Sequence, residues 1–245
     1  MEFDISGTDL EEGCHNMRTS LAERRLKAAE ASKGISSNVI YELILRLIKD
    51  SDCQGDLLEY GAGIGSLIKR LLDCQYQGTV TGTDILPRPP SLPQTVHWLE
   101  TDLNKPIESE SESFDVIIST EVIEHLENPR ALFREFYRLL RPGGTLILST
   151  PNQESIRSLL SLILFGHFVA FLETNYPAHI TALLKKDLER ICLETGFSRP
   201  DVYYVPFGGV PKLPQINWQR VSFGILKGRL FSDNLAIVTK RLEEA

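Results

Sequence analysis

Glu121, Glu124 and His125 form a Glu-x-x-Glu-His run, and a second imidazole follows at His179, in Tyr176-Pro177-Ala178-His179-Ile180-Thr181. On a helical turn, offsets of three and four bring side chains to one side. Two carboxylates and two imidazoles make a ligand set for a divalent ion, magnesium or zinc. Such an ion can grip two vicinal oxygens and lower the pKa of a hydroxyl under attack. Without a metal, His125 or His179 is the choice of general base, because an imidazole titrates near neutral pH. Glu121 joins them as a catalytic candidate. The competing reading is structural: Glu121 and Glu124 stabilise a helix N-terminus and His125 packs against a sheet. His15, His97 and His167 stand in no such pattern.

A second constellation lies upstream. Asp56-Leu57-Leu58-Glu59-Tyr60 is a short apolar run ending near a carboxylate, and Gly61, Gly63 and Gly65 then alternate. Leu67, Ile68, Leu71 and Leu72 follow at helical spacing, so the stretch reads as strand, tight turn and helix. Glycine lets backbone approach a ligand closely, and the helix start offers free N–H groups. The dinucleotide fingerprint wants a third glycine where Ser66 stands. Glu59, two residues before the first glycine, suits a cationic or zwitterionic ligand and would repel a pyrophosphate.

The elements that must position these groups follow from periodicity. Thr19–Ser32 reads as a charged helix. Val39, Ile40, Leu43, Ile44, Leu47 and Ile48 mark a second helix, with Ser37 or Asn38 as its N-cap. Strands are expected over Gly78–Asp84, Thr95–Leu99, Phe114–Thr120 and Thr145–Thr150. Pro87, Pro89, Pro90 and Pro93 keep the crossover after Asp84 from forming a long helix. Pro129 opens a helix with Leu132, Phe133, Phe136, Leu139 and Leu140 inward, and Gly143-Gly144 is expected to stop it. Lys186–Thr195 is a further helix, Tyr203–Pro206 and Asn234–Lys240 are strands, and Phe207–Leu230 is irregular.

Strands alternating with helices imply an α/β fold with a doubly wound, mostly parallel sheet. Ligands in such sheets sit beyond the carboxyl ends of the strands, at the topological switch point. Glu59, Asp84, Asp102 and Thr120-Glu121 all fall at expected strand ends, so four segments converge on one crevice. The organisation reads as a helical segment or lid over 1–50, a cofactor half over 51–152, an apolar insertion or substrate cap over 153–183, and the rest of the same sheet over 184–245, one domain in all. Within the insertion, Ser158–Leu172 is strongly apolar yet shorter than the roughly 20 residues that span a bilayer. It reads as a core helix or homodimer contact, as an apolar lid in which Phe165 and Phe168 meet the acceptor, or as a membrane-surface segment.

With 245 residues, 42% of them hydrophobic, the chain can bury a sizeable core. A net charge of −7 without a long basic run argues against tight non-specific nucleic-acid binding. Cys14, Cys53, Cys74 and Cys192 form no Cys-x-x-Cys pair, which suits a reducing compartment. Residues 1–15 are polar, and Met1 to Leu10 shows no signal-peptide pattern, so the expected location is cytoplasmic.

Taken together, these motifs resemble the class I S-adenosylmethionine-dependent methyltransferases over Leu57–Asn152, and more weakly to Lys240. Leu58-Glu59-Tyr60-Gly61-Ala62-Gly63-Ile64-Gly65, Thr83-Asp84-Ile85, Thr101-Asp102-Leu103, Phe114–Glu121 with Glu124-His125-Leu126, and Leu140-Arg141-Pro142-Gly143-Gly144-Thr145-Leu146 stand in that family's order. The resemblance implies a Rossmann-like sheet of seven strands, the last antiparallel, and S-adenosyl-L-methionine as cofactor. It implies that Gly61 and Gly63 meet the methionine part and that Glu59 holds the ammonium. Asp84 would accept both ribose hydroxyls, Asp102 the adenine amino group, with the Leu103 N–H nearby. Ala62, Ile85 and Thr120 belong to the same cofactor-binding motifs. Glu121, Glu124, His125 and His179 are similar to positions in two branches, the ubiquinone-pathway O-methyltransferases and the small-RNA 2′-O-methyltransferases. The basic and aromatic neighbours usual in the RNA branch are missing around His179. The expected activity is O-methylation of a small or lipid-like acceptor, with metal-dependent RNA 2′-O-methylation and a non-catalytic cofactor-binding subunit as alternatives.

Overall fold

The computed structural model describes residues 21–32 and 34–243. The expected polar segment 1–15 and the first two residues of the expected Thr19–Ser32 helix lie outside them. Helix α1 covers Leu21–Ser32, and α2 covers Asn38–Asp50 after an extended Ser37. Helix α2 buries Ile40, Leu43, Ile44, Leu47 and Ile48, as its periodicity requires.

Strand β1, Leu57–Tyr60, is buried throughout. It is followed by α3 (Ser66–Asp73), β2 (Val80–Asp84), β3 (His97–Glu100) and β4 (Phe114–Thr120). Helix α4, Pro129–Leu139, begins with proline in its first turn, and the Asn128 side chain accepts from the Ala131 N–H at 3.0 Å. The expected stop at Gly143-Gly144 comes too late. The helix ends at Leu139 and β5 runs over Leu140–Pro151, because the residue before Pro142 favours extended backbone. After helices α5 (Ile156–Phe165) and α6 (Lys185–Glu194) come β6 (Asp201–Tyr204) and, last, β9 (Asn234–Lys240). Between them, Phe207–Leu230 is more ordered than expected. It holds a hairpin of β7 (Gly209–Val210) and β8 (Leu213–Asn217), then a short helix, α7 (Trp218–Val221).

The main sheet has seven strands in the order β3-β2-β1-β4-β5-β9-β6. The strands from β3 to β5 pair in parallel, and β9 runs antiparallel to both of its neighbours. Alternating strand residues feed two cores. Leu58, Tyr60, Ile117 and Leu148 pack with α4 and α6 on one face. Leu57, Val116, Ile118 and Ile147 pack with α2 and α3 on the other. This is the doubly wound architecture that the alternation of strands and helices implies. Chain order reverses between β1 and β4, so the switch point lies where the glycine turn and the Glu-x-x-Glu-His run both begin.

The apolar insertion departs from expectation. Its first part is α5, with the Ser155 side chain as N-cap and Gly166 in the left-handed region at the other end. The buried residues of α5 are Ser158 and Ser161. Leu159, Leu160, Leu162, Ile163, Leu164 and Phe165 are exposed, Ile163 at 77%. The core-helix reading fails, because the inward face meets polar partners: Ser158 Oγ donates to Gln153, and Ser161 lies beside the His167 ring. Among the described residues, no helix is long and apolar enough to cross a membrane. Cys53, Cys74 and Cys192 are free, and burial raises the Cys53 and Cys192 thiols to about 11 and about 12.

Candidate active site

Strand β1 runs straight into the glycine turn. Gly61 and Gly63 adopt φ of 80° and 52°, in the region that L side chains avoid. The N–H groups of Gly61 and Ala62 donate to the Thr83 carbonyl at 2.9 and 3.0 Å, which ties the turn to the end of β2. Asp84 caps that end. Its Oδ2 accepts from the Gly63 N–H at 2.7 Å and its Oδ1 from the Leu86 N–H at 2.9 Å. Each carboxylate oxygen keeps a further lone pair for a ligand hydroxyl. Burial raises the Asp84 pKa, while the N–H groups of Leu86 and Gly63 oppose the shift. Glu59 sits behind the turn, 3% exposed, with Oε2 lacking any partner. Burial drives its pKa well above the usual carboxylate range, against an Ile68 N–H that favours the ion. An unpartnered buried oxygen of this kind suits the ammonium of a zwitterion or a water that bridges to it.

A cavity of about 610 Å³ opens beyond these strand ends. Gly61, Asp84, Ile85, Asp102, Leu103 and Thr120, six of the residues proposed from sequence for cofactor binding, line it. Glu59, Ala62 and Gly63 do not reach its wall. The reason is the loop after α1: a side chain at Gly63 would collide with the Gly34 backbone, so this loop lies directly on the turn. Sequence inspection missed that contact, and it missed Arg25. The Arg25 guanidinium pairs with Asp102 at 2.5 Å and with Glu127 at 2.7 Å, bringing α1 over the cavity wall formed by Asp102 and Leu103. Asp102 also accepts from the Asn104 N–H at 3.1 Å.

The second constellation assembles on the opposite side of the same cavity. Ile123–His125 forms a single 3₁₀ turn after β4. The N–H groups of Ile180 and Thr181 donate to the Glu124 carbonyl at 2.9 and 3.0 Å, docking 176–181 against this turn. The rings of His125 and His179 therefore meet edge to face, with centroids 4.8 Å apart. His125 Nδ1 lies 2.8 Å from the Ala178 carbonyl and His179 Nδ1 lies 2.6 Å from the Ala170 carbonyl. A carbonyl only accepts, so each Nδ1 donates to its carbonyl; the His125 ring also interacts with the Glu121 carbonyl. Burial lowers both imidazole pKa values, and the His125 charge lowers that of His179 further.

Glu124 is 1% exposed. Its Oε2 accepts from Thr150 Oγ1 at 3.2 Å, and its Oε1 has no partner. Burial raises its pKa to about 8. One ligand atom each from Glu124, His125 and His179 fall within 4.8 Å of one another. Two imidazole nitrogens and an unsatisfied carboxylate oxygen fit a divalent ion. Glu121 does not join this set. With φ of 56°, it turns its carboxylate toward Asn234 Nδ2, at 2.7 Å, and Ser149 Oγ, at 3.2 Å. Phe165 and Phe168 are absent from the cavity wall, which Tyr176, Pro177, Ala178 and Ile180 supply instead. His97 is exposed on β3, and His167 stacks on Phe165, away from the cavity.

A family model described as a methyltransferase domain matches residues 15–199, well over half of the chain. The chain belongs to the methyltransferase-domain family. It is a class I S-adenosylmethionine-dependent member. Among curated relatives, the ubiquinone biosynthesis O-methyltransferase of Pseudomonas entomophila (strain L48) is 33% identical over 116 residues, 44% of this chain and 49% of that protein. The mitochondrial enzyme of the same name from Rattus norvegicus is 24% identical over 123 residues, 49% of this chain and 36% of that protein. The methyltransferase thus spans about half or less of the length of these relatives. Its fold is similar to that of an Archaeoglobus fulgidus S-adenosylmethionine-dependent methyltransferase, with TM-score 0.57, 17% identity, and coverage of 82% of this chain and 94% of that one. A Burkholderia thailandensis 1,6-didemethyltoxoflavin-N1-methyltransferase, solved with S-adenosylhomocysteine, aligns with TM-score 0.62 at 12% identity, covering 94% of this chain and 90% of that one.

Proposed function

We propose that this protein moves the methyl group of S-adenosyl-L-methionine to a hydroxyl oxygen of a small or lipid-like acceptor. One observation carries the reading: two imidazoles, each with its pKa lowered by burial, face the cavity whose other wall includes Gly61 of the glycine turn. A hydroxyl is a poor nucleophile until its proton leaves, whereas a neutral amine already carries its lone pair. A base beside the methyl donor therefore favours oxygen. His125 Nε2 accepts the acceptor proton, and the Ala178 carbonyl holds the ring in the tautomer that allows it. His179 stands beside His125 as the second acceptor of that proton. Glu121 acts through Asn234 and Ser149 as a positioning residue. Asp84 holds the ribose, Glu59 faces the ammonium, and Asp102 with Leu103 flanks the adenine. Gly61, Ala62 and Gly63 form the turn beside the methionine part, and Ile85 and Thr120 complete the cofactor wall.

In place of the imidazole base, a divalent ion could do this work: Glu124, His125 and His179 would hold it, the imidazole Nε2 lone pairs then being used on the ion, and it would acidify the attacked hydroxyl. The name of the Pseudomonas relatives supports the oxygen reading, and the apolar side chains of Ile35, Ile40, Leu126 and Ile180 on the cavity wall support a ring-bearing or lipid-like acceptor.

Calorimetry with S-adenosylhomocysteine tests the cofactor half. Asp84→Ala should weaken binding by about a hundredfold, since charge-assisted hydrogen bonds contribute roughly 1.5–3 kcal/mol each. Methyl transfer to a panel of phenols, catechols and amines tests the rest. Turnover of amines alone would reject the oxygen assignment. Loss of activity in chelator, restored by magnesium or zinc, would place the ion in the reaction, and full activity in chelator would leave the imidazole base.

A further inference from the structure

We infer that the exposed face of α5, with the neighbouring 218–231 segment, docks on an anionic lipid bilayer. Helix α5 is inverted relative to a core helix: its serines are inside and its large apolar side chains outside. Ile163, Leu164 and Phe165 are 77%, 64% and 68% exposed. The 218–231 segment repeats the pattern, with Val221, Phe223 and Ile225 at 53%, 96% and 80%. Exposed apolar groups on this scale mark an interaction surface.

The two segments are joined. Helix α5 packs against the 3₁₀ turn Arg229–Phe231. Asn152, just before α5, donates to the Arg229 carbonyl at 2.6 Å. Gln219 donates to the Leu226 and Phe231 carbonyls at 3.1 and 2.8 Å, and the Trp218 ring meets that of Phe231. The loop bearing Phe223 and Ile225 is thereby clamped to the turn on which α5 rests.

Charge selects the partner. The chain as a whole carries −7, yet residues 155–172 contain Arg157 and no carboxylate. Residues 202–232 contain Lys212, Arg220, Lys227 and Arg229 and again no carboxylate. Arg157 and Arg229 are ion-paired with the flanking Asp233 and Glu154, so the charge of the surface rests on Lys212, Arg220 and Lys227. Lys212, Arg220 and Lys227 are exposed. In a two-fold dimer the patch would meet itself and set Lys212, Arg220 and Lys227 near their own copies, like charge against like. An anionic headgroup layer over hydrocarbon matches both. Helix α5 spans about 15 Å at the usual rise per residue, half a hydrocarbon core, so it lies in the interface and does not cross it. The cofactor cavity contributes none of these residues, so the surface is independent of the proposed acceptor chemistry.

Co-sedimentation of the full chain with vesicles of phosphatidylcholine alone, or with about one-third phosphatidylglycerol, tests this. The chain should partition onto the anionic vesicles and be released as salt is raised, because exposed charges are screened. Ile163→Asp and Phe223→Ser should each lower partitioning by about tenfold or more, while S-adenosylhomocysteine binding stays that of the parent and shows the variants folded. A double replacement of Lys212 and Lys227 by Gln should lower partitioning onto anionic vesicles by roughly tenfold. No partitioning onto either vesicle, or partitioning indifferent to all of these variants, overturns the inference. So does a dimer in solution that Ile163→Asp dissociates while the parent ignores vesicles, for then a second copy covers the face.

Discussion

Glu124 and His125 are neighbours in sequence, and burial shifts them in opposite directions. Glu124 keeps its proton in the folded chain up to about pH 8, while the unfolded chain releases it near the ordinary carboxylate value. Between those limits the folded state binds more protons, so this group's contribution to stability falls as pH rises through the window. Glu124→Gln removes the titration. Its unfolding free energy relative to the parent should therefore rise from about pH 5 to about pH 8, by an amount on the order of a kcal/mol or more, in denaturant melts with chelator. A constant difference across that window rejects the assignment. His125 is pushed the other way, below the ordinary imidazole value. It stays neutral at neutral pH and gains a proton only as pH falls through its lowered pKa. The acid limb of the kcat/KM profile should accordingly lie below about pH 6.5. His125→Ala should cost about 10² to 10⁴ in kcat, measured at saturating cofactor, with binding of S-adenosylhomocysteine preserved.

Two connections between elements close the cavity. One is the stacking of Gly34 on Gly63. Gly63→Ala adds a Cβ where the Gly34 backbone lies, at a φ that favours glycine. The expected loss is roughly 1–3 kcal/mol in a urea melt, together with weaker cofactor binding, as the loop is forced off the turn. The other is Arg25, which fastens α1 to Asp102 and Glu127 from a largely covered position. Its ion pairs are partly solvated and worth at most about 1 kcal/mol together. Arg25→Ala should thus leave global stability nearly unchanged and speed amide exchange in α1 by about fivefold, the factor that such an energy implies. Unchanged exchange would show that α1 is held elsewhere. The glycines and Asp84 were legible as a turn and a strand end because local backbone chemistry demands those residue types. Arg25 and Gly34 carried no such signal, since their partners lie far along the chain.

Across the whole molecule, the sheet divides the apolar residues between two cores, and Phe133 sits at the centre of one. It is fully buried between Phe136 and Phe197, with ring centroids 6.0 and 5.9 Å away, and so links α4 to the C-terminal part of the sheet. Phe133→Ala should lower unfolding free energy by about 3–5 kcal/mol in denaturant titration. The sequence by itself determined the layered α/β order, the switch point and the row of acidic residues at strand ends, because periodicity and turn chemistry are local properties of the chain. Only the tertiary structure decided that Glu124 gathers with His125 and His179 while Glu121, on the wall of the same cavity, bonds to Asn234. It alone decided that α5 buries its serines. The first outcome depends on Asn234, brought to Glu121 across β5 and β9 from 113 residues away, and the second on the turn Arg229–Phe231 on which α5 rests; no local pattern encodes which of two nearby carboxylates, or which face of an apolar helix, such partners will meet.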